Sequence, residues 1–285
     1  MKFIESSKYF KNLKLQEFPE PEVVLLKYPI LLCHGYGGIT SIIKPSPLYE
    51  VCMLLRQHGI LSFAPNIVPY AKIETRSGQW VNRIENLVEK HNFDKLNVVA
   101  HSMGGLDLRY ALTHTDVARH VASLTTVATP HRGTSLAEFV LDTPDKFKEK
   151  LGDFFNWFGD SMYPKSKSDS VGAVKQLTRS YIQETFNPLN PDREDLHYFS
   201  YSAAVGQGTD QPVNPIYRYQ NNIIFKKEGS NDTFVSVESA RWGKHISTVP
   251  LSHLEQLKVQ VGKERLPLVK NFWLKMVGHL AEEGL

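Results

Sequence analysis

The stretch NVVAHSMGGLDLRY, residues 97–110, constrains the fold more than any other part of the chain. A short strand-forming run stops at Ala100, a serine follows at 102 between a histidine and a methionine, and two glycines open a segment whose Leu106 and Tyr110 continue at helical spacing. A turn this tight between strand and helix needs small residues on both sides, because neighbouring backbone passes close by, and it leaves the serine hydroxyl exposed above the sheet. Gly104 and Gly105 meet that need on the helix side; Ala100 stands where glycine is usual, and a methyl group still fits. A serine N-cap would account for the hydroxyl, but not for the apolar strand or the paired glycines.

The segments around this turn alternate between two apolar periods. VVLL and YPILLCHG read as strands reaching residue 35, and ILSFAPNI as another. Trp80, Ile84, Leu87 and Val88 then recur at helical spacing, KLNVVA returns to a strand, and VASLTTVATP, LHYFSYSAAV and NNIIF read as further strands before a terminal helix with Val269, Phe272, Trp273, Met276 and Leu280 on one face. Strands that alternate with helices and are apolar on both faces predict an α/β fold, a mostly parallel central sheet flanked by helices. At 285 residues and 41% hydrophobic content the chain supports one such core, so a single domain over 1–285 is expected.

Residues from about 135 to 178 break the rhythm. Phe147, Leu151, Phe154 and Phe158 form one apolar stripe, with Phe155 and Trp157 beside it and Lys146, Glu149, Lys150 and Asp153 off it. A core helix would account for the stripe. An amphipathic lid also accounts for its place, inserted on the side of the sheet where an α/β enzyme carries its site.

The net charge is +3 with Lys and Arg spread along the chain, so no basic stripe points to nucleic acid. No apolar stretch is long enough to span a bilayer, and the first residues lack the apolar run of a signal peptide. The chain thus reads as soluble, cytoplasmic as it stands or secreted if a leader precedes it. Cys33 falls in a strand and Cys52 in a helix-like segment, which predicts buried free thiols rather than a disulfide.

A serine hydroxyl attacks only when a base takes its proton and an acid orients that base. For a serine on such a turn both partners come later in the chain, acid before histidine. The candidates for the base are His245, His253 and His279, of which His279 sits among core positions of the terminal helix. Asp232, in a turn after the predicted strand NNIIF, stands where the acid should emerge.

Taken together, PILLCHGYGG, AHSMGG, TVATPHRGTSLAEF, NDTFVSVESARWG and LSHLEQ resemble the bacterial triacylglycerol lipases of the α/β-hydrolase fold, especially the Pseudomonas and Proteus types. The blocks keep the family's order and span residues 29–256. The resemblance implies Ser102 as nucleophile, Asp232 as acid and His253 as base; it leaves His245 without a counterpart and puts Thr233 where the family has glycine. It also implies an oxyanion hole formed by the backbone N–H groups of Met103 and of Tyr36, with Gly37 and Gly38 letting that loop approach the substrate. Asp107, Arg109, His131, Arg132, His34 and His101 lie close to these positions and read as structural groups that pin loops.

The activity implied is hydrolysis of a lipid or small apolar ester through an acyl-enzyme, with a lipid–water interface as a possible setting. Acyl transfer and thioester cleavage on the same triad, or a non-catalytic binding protein that kept the fold, are the rival readings. No cofactor is required. The resembling lipases hold a structural calcium near the catalytic histidine, and the corresponding positions here are Glu255 and, upstream, Asp210 or Asn214. Altered ligand type and spacing weigh against that metal.

Overall fold

Six runs of extended backbone build the sheet. In the computed structural model, which describes residues 24–37, 46–143, 169–258 and 261–285, the strands are β1 (Ile30–Cys33), β2 (Ser62–Phe63), β3 (Leu96–His101), β4 (Val121–Val127), β5 (His197–Ala203) and β6 (Lys244–Val249). Their order is β2-β1-β3-β4-β5-β6 and every neighbouring pair is parallel. The longer helices are α1 (Tyr49–Gln57), α2 (Ile73–His91), α3 (Gly104–His114), α4 (Ser135–Asp142), α5 (Ser170–Lys175), α6 (Arg218–Glu228) and α7 (Leu266–Glu282).

The two-residue period of a strand sends alternate side chains to opposite helical layers. Ile30 and Leu32 of β1 and Val99 of β3 pack with Val51 and Leu55 of α1 and with Val269 and Trp273 of α7. Leu31, Cys33, Val98 and Ala100 pack instead with Trp80 and Ile84 of α2 and with Leu108, Ala111 and Leu112 of α3. Burial on both faces is what a parallel sheet requires, and each large apolar side chain removed from water here contributes about 2–3 kcal/mol. Both cysteines are buried free thiols.

A third apolar cluster draws on the loop after β1 and the turn after β3 as well as on α4, α5 and α6, through Tyr36, Tyr70, Met103, Leu106, Leu136, Val140, Val174, Ile182, Phe186, Ile224 and Phe234. The aromatic stripe at Phe147, Leu151, Phe154 and Phe158, and Gly38, lie outside the described residues. No helix among the described residues is long and apolar enough to cross a membrane.

Three expectations are corrected. NNIIF is helical, within α6, because its buried face is formed by Gln220, Asn221 and Ile224; two of those three positions are polar, so an apolar count sees only a short β-branched run. Of VVLL, Val24–Leu26 forms no strand; Val24 and Leu26 pack against the core, and Lys27 N–H donates to the carbonyl of Leu285. His245, in a segment to which the sequence assigned no strand, lies in β6. That strand closes one edge of the sheet and reads KHISTV, too polar to signal a strand.

Candidate active site

Ser102 follows the last residue of β3, and α3 begins at Gly104. Its φ is +57°, a left-handed conformation that costs a residue with a side chain about 1–2 kcal/mol. The turn is held on both sides. Ser102 N–H donates to Val127 O of β4 at 2.9 Å, and Ser102 O accepts from Gly105 N–H at 3.1 Å and from Thr129 Oγ1 at 2.7 Å. The small residues are required as the sequence suggested. A Cβ on Gly104 would stand 2.9 Å from His34 O, and one on Gly105 would stand 2.2 Å from Thr129 Oγ1.

Asp232 follows α6 rather than a strand, and its turn is fastened to the chain leaving β5 by a bridge from Asn231 to Val205 and closed on itself by one from Asn231 to Ser236. Its carboxylate is fully buried and has four donors. Oδ1 accepts from the N–H groups of Phe234 (3.0 Å) and Val235 (2.8 Å), while Oδ2 accepts from His253 Nδ1 (2.7 Å) and Gln256 Nε2 (3.1 Å). His253 N–H also donates to Asp232 O at 2.8 Å. With Nδ1–H committed to the carboxylate, Nε2 carries the lone pair that a base needs. Thr233, where the resembling family has glycine, takes φ +88°. The turn therefore keeps its geometry at the expense of strain in a β-branched residue.

The elbow meets this pair through His101. The His101 ring lies 4.5 Å from that of His253, and its Nε2 pairs with Gln256 Oε1 at 3.1 Å. Gln256 thus touches both Asp232 and His101. It escaped sequence reasoning, although it sits in LSHLEQ three residues after His253, one short helical turn away.

The loop after β1 is carried against the elbow. Arg76 of α2 donates to His34 O (2.7 Å) and Val68 O (2.8 Å), and pairs with Asp107 of α3 at 2.9 Å with both side chains fully buried. Tyr36 is 4% exposed and Met103 is buried. The Tyr36 ring packs edge-on to Tyr70 at 5.2 Å, and Gly37 N–H donates to Pro69 O at 3.3 Å. The Asp232–His253 pair thus packs on the residue before Ser102, the loop that carries Tyr36 lies against Ser102 and Met103, and His245 instead faces Ser200 and Ser202. His279 packs on Phe199.

The neighbouring charges brace loops. Arg109 donates to Asn187 Oδ1 and Asn190 O, both at 2.8 Å, with its guanidinium 3.8 Å from the centre of a Trp242 ring. Arg132 donates to the carbonyls of Glu238 and Arg241. His34, His101 and His131 are buried and kept neutral. Burial, reinforced by Arg76, pushes His34 down to about 3; burial, then His253, lowers His101; burial, then Arg109, lowers His131. Asp107 moves the other way, up to about 6, because burial outweighs the pull of Arg76.

A pH dependence of stability follows from these shifts. Each depressed histidine contributes stability above about pH 6.5 that is lost as pH falls, since the unfolded chain then binds a proton that the native state refuses. Asp107 takes a proton in the native state first, between about 4 and 6, and offsets one of the three. Unfolding free energy from urea titrations should therefore fall as the pH drops from about 6.5 towards 4.5. A flat profile from pH 6.5 to 4.5 would show that these rings are not held neutral.

The fold is found in known proteins. A family model described as the alpha/beta hydrolase fold matches residues 28–186. Triacylglycerol lipase 2 of Saccharomyces cerevisiae is 26% identical across 90% of this chain and 92% of its own length. The triacylglycerol lipase of Pseudomonas fragi is 25% identical across 91% and 98%. Among solved structures, the Staphylococcus hyicus lipase superposes with a TM-score of 0.68 at 16% identity, covering 93% of this chain and 97% of that one. A match over more than half of the residues, on a parallel sheet whose central strand ends in the strained serine turn, means that the chain belongs to the α/β hydrolase fold family.

Proposed function

We propose that the chain is a serine ester hydrolase of the lipase and esterase type, acting on lipid or other apolar acyl esters. The observation that carries this reading is the buried Asp232–His253 pair, with Nδ1 bound to the acid at 2.7 Å, packed at 4.5 Å on the ring of His101, the residue before a serine held at φ +57° on its elbow. Ser102 Oγ attacks the ester carbonyl carbon while His253 Nε2 takes the hydroxyl proton. The negative charge that develops on the carbonyl oxygen is met by the N–H groups of Tyr36 and Met103. Collapse breaks the bond to the alkoxy oxygen, which leaves as alcohol with the proton from His253. Water, deprotonated by the same nitrogen, then releases the acid from Ser102.

The full-length relatives named triacylglycerol lipase support the ester class. The apolar cluster around Tyr36 and Met103 supports an apolar acyl chain. Exposed Val171, Ile216 and Tyr219, on segments that adjoin this cluster, support a substrate met at a lipid surface.

The test is a fluorophosphonate probe followed by peptide mass spectrometry, with a chain-length series of nitrophenyl esters on the same sample. One adduct at Ser102 and turnover of the esters are expected. A folded sample that takes no probe and cleaves no ester would refute the hydrolase reading.

A further inference from the structure

The calcium that the resemblance implies does not suit the residues at its expected place. Glu255, at the position of the family's first ligand, gives its carboxylate to Arg265 in a bidentate pair and accepts Ser252 N–H at 2.7 Å. Of the upstream candidates, Asp210 and Asn214 are exposed, and Asn214 Oδ1 accepts from Ile216 N–H within its own turn. No group of three or more His, Cys, Asp or Glu side chains converges among the described residues. A calcium ion needs six to eight oxygens, and a guanidinium against the same carboxylate repels it.

We propose that Arg265 is itself the cation that holds the His253 loop. This rests on the hydrolase reading above and names a positioning residue for that site. Besides Glu255, Arg265 donates through Nη2 to Pro250 O and through Nη1 to Gln211 Oε1 at 3.4 Å. A carboxylate, a backbone carbonyl and an amide oxygen are the kinds of ligand a calcium ion collects. They tie the loop on both sides of His253 to the upstream Gln211 segment.

The anchor is rigid because Arg265 enters α7, where its own carbonyl accepts from Leu268 and Val269 N–H. Farther along α7, Trp273 Nε1 donates to Gln256 O at 2.9 Å. The terminal helix therefore grips the loop at Pro250, Glu255 and Gln256, and Gln256 passes the constraint to the Asp232 carboxylate. A fixed side-chain charge performs this task at any calcium concentration, and Arg suits it because its donors form a planar fork for a carboxylate.

Three measurements test the assignment. Treating the parent with EDTA, then adding calcium chloride alone, should change neither nitrophenyl ester turnover nor melting temperature; a gain in either on adding calcium overturns the proposal. Arg265→Gln should lower kcat by about 10- to 100-fold with KM little changed, and Arg265→Lys should recover part of the loss. Wild-type kcat in Arg265→Gln, or a Lys variant no better than Gln, overturns it. If Arg265→Gln does not fold, Glu255→Gln should give the same kcat loss from the other partner, and unchanged kcat there also overturns the assignment. A parent that takes no fluorophosphonate and cleaves no ester would refute the hydrolase reading alone. The cation assignment would then be judged on melting, which should stay indifferent to EDTA and calcium in the parent and drop in Arg265→Gln.

Discussion

Ser102→Gly is expected to abolish ester turnover and to make the protein more stable. Removing the nucleophile from a triad costs on the order of 10^4- to 10^6-fold in kcat, the residue being what binding and the oxyanion donors achieve alone. The stability effect has the opposite sign. Ser102 sits at φ +57°, a conformation worth about 1–2 kcal/mol of strain to any residue with a Cβ. Glycine occupies it freely, although its looser unfolded chain returns about 0.4–1 kcal/mol of that gain. The hydrogen bonds that fix the elbow, to Val127 O, Gly105 N–H and Thr129 Oγ1, use only the backbone of residue 102 and survive the change. Urea unfolding should therefore show a net gain of about 0.5–1 kcal/mol. Ser102→Ala should be equally inactive without the gain. A Ser102→Gly protein less stable than the parent would mean that the elbow stores no strain.

What the sequence made legible is the part of the molecule governed by local sterics and two-sided burial. The elbow is readable because the serine turn, its strand and its glycines all lie within residues 97–110. The inner strands β1, β3 and β4 are readable because both faces are covered, which keeps Asp, Glu, Lys and Arg out of them and makes β1 a continuous apolar run. Elements fail to read where burial is polar or one-sided, as in α6 with Gln220 and Asn221 inward and in edge strand β6. The acid and base are a harder case. Elimination alone left His245 and His253, and the choice of His253 came from family resemblance, because the turn that presents Asp232 is organised by pairing with Val205, far back in the chain. The supports Arg76, Gln256 and Arg265 were invisible for the same reason. Each is an ordinary polar residue until its partners, 31, 24 and 10 positions away, are known.

Gly35→Ala is expected to lower kcat by about 10^3-fold or more, although residue 35 bears no chemical group. A methyl there would stand 2.6 Å from Ser102 Cβ, 2.8 Å from His101 O and 2.8 Å from Met103 N. None of these is the free end of a flexible side chain, so the clash has to be relieved by moving either the elbow or the loop that carries Tyr36. The loop is pinned by Arg76 at His34 O, and the elbow by Val127 O, so neither yields freely. Loss of one oxyanion donor costs about 10^2- to 10^3-fold, and misplacing the nucleophile by about 1 Å costs about 10^2-fold more. Overpacking adds a stability cost of about 1–3 kcal/mol. The informative comparison is Gly78→Ala in α2, where the added methyl meets nothing within 4 Å; it should keep full kcat and gain about 0.5–1 kcal/mol, because glycine is a poor residue for a helix interior. If Gly35→Ala instead retained kcat, the loop after β1 would be free to move without disturbing catalysis, and the oxyanion donors would have to be sought outside Tyr36 and Met103.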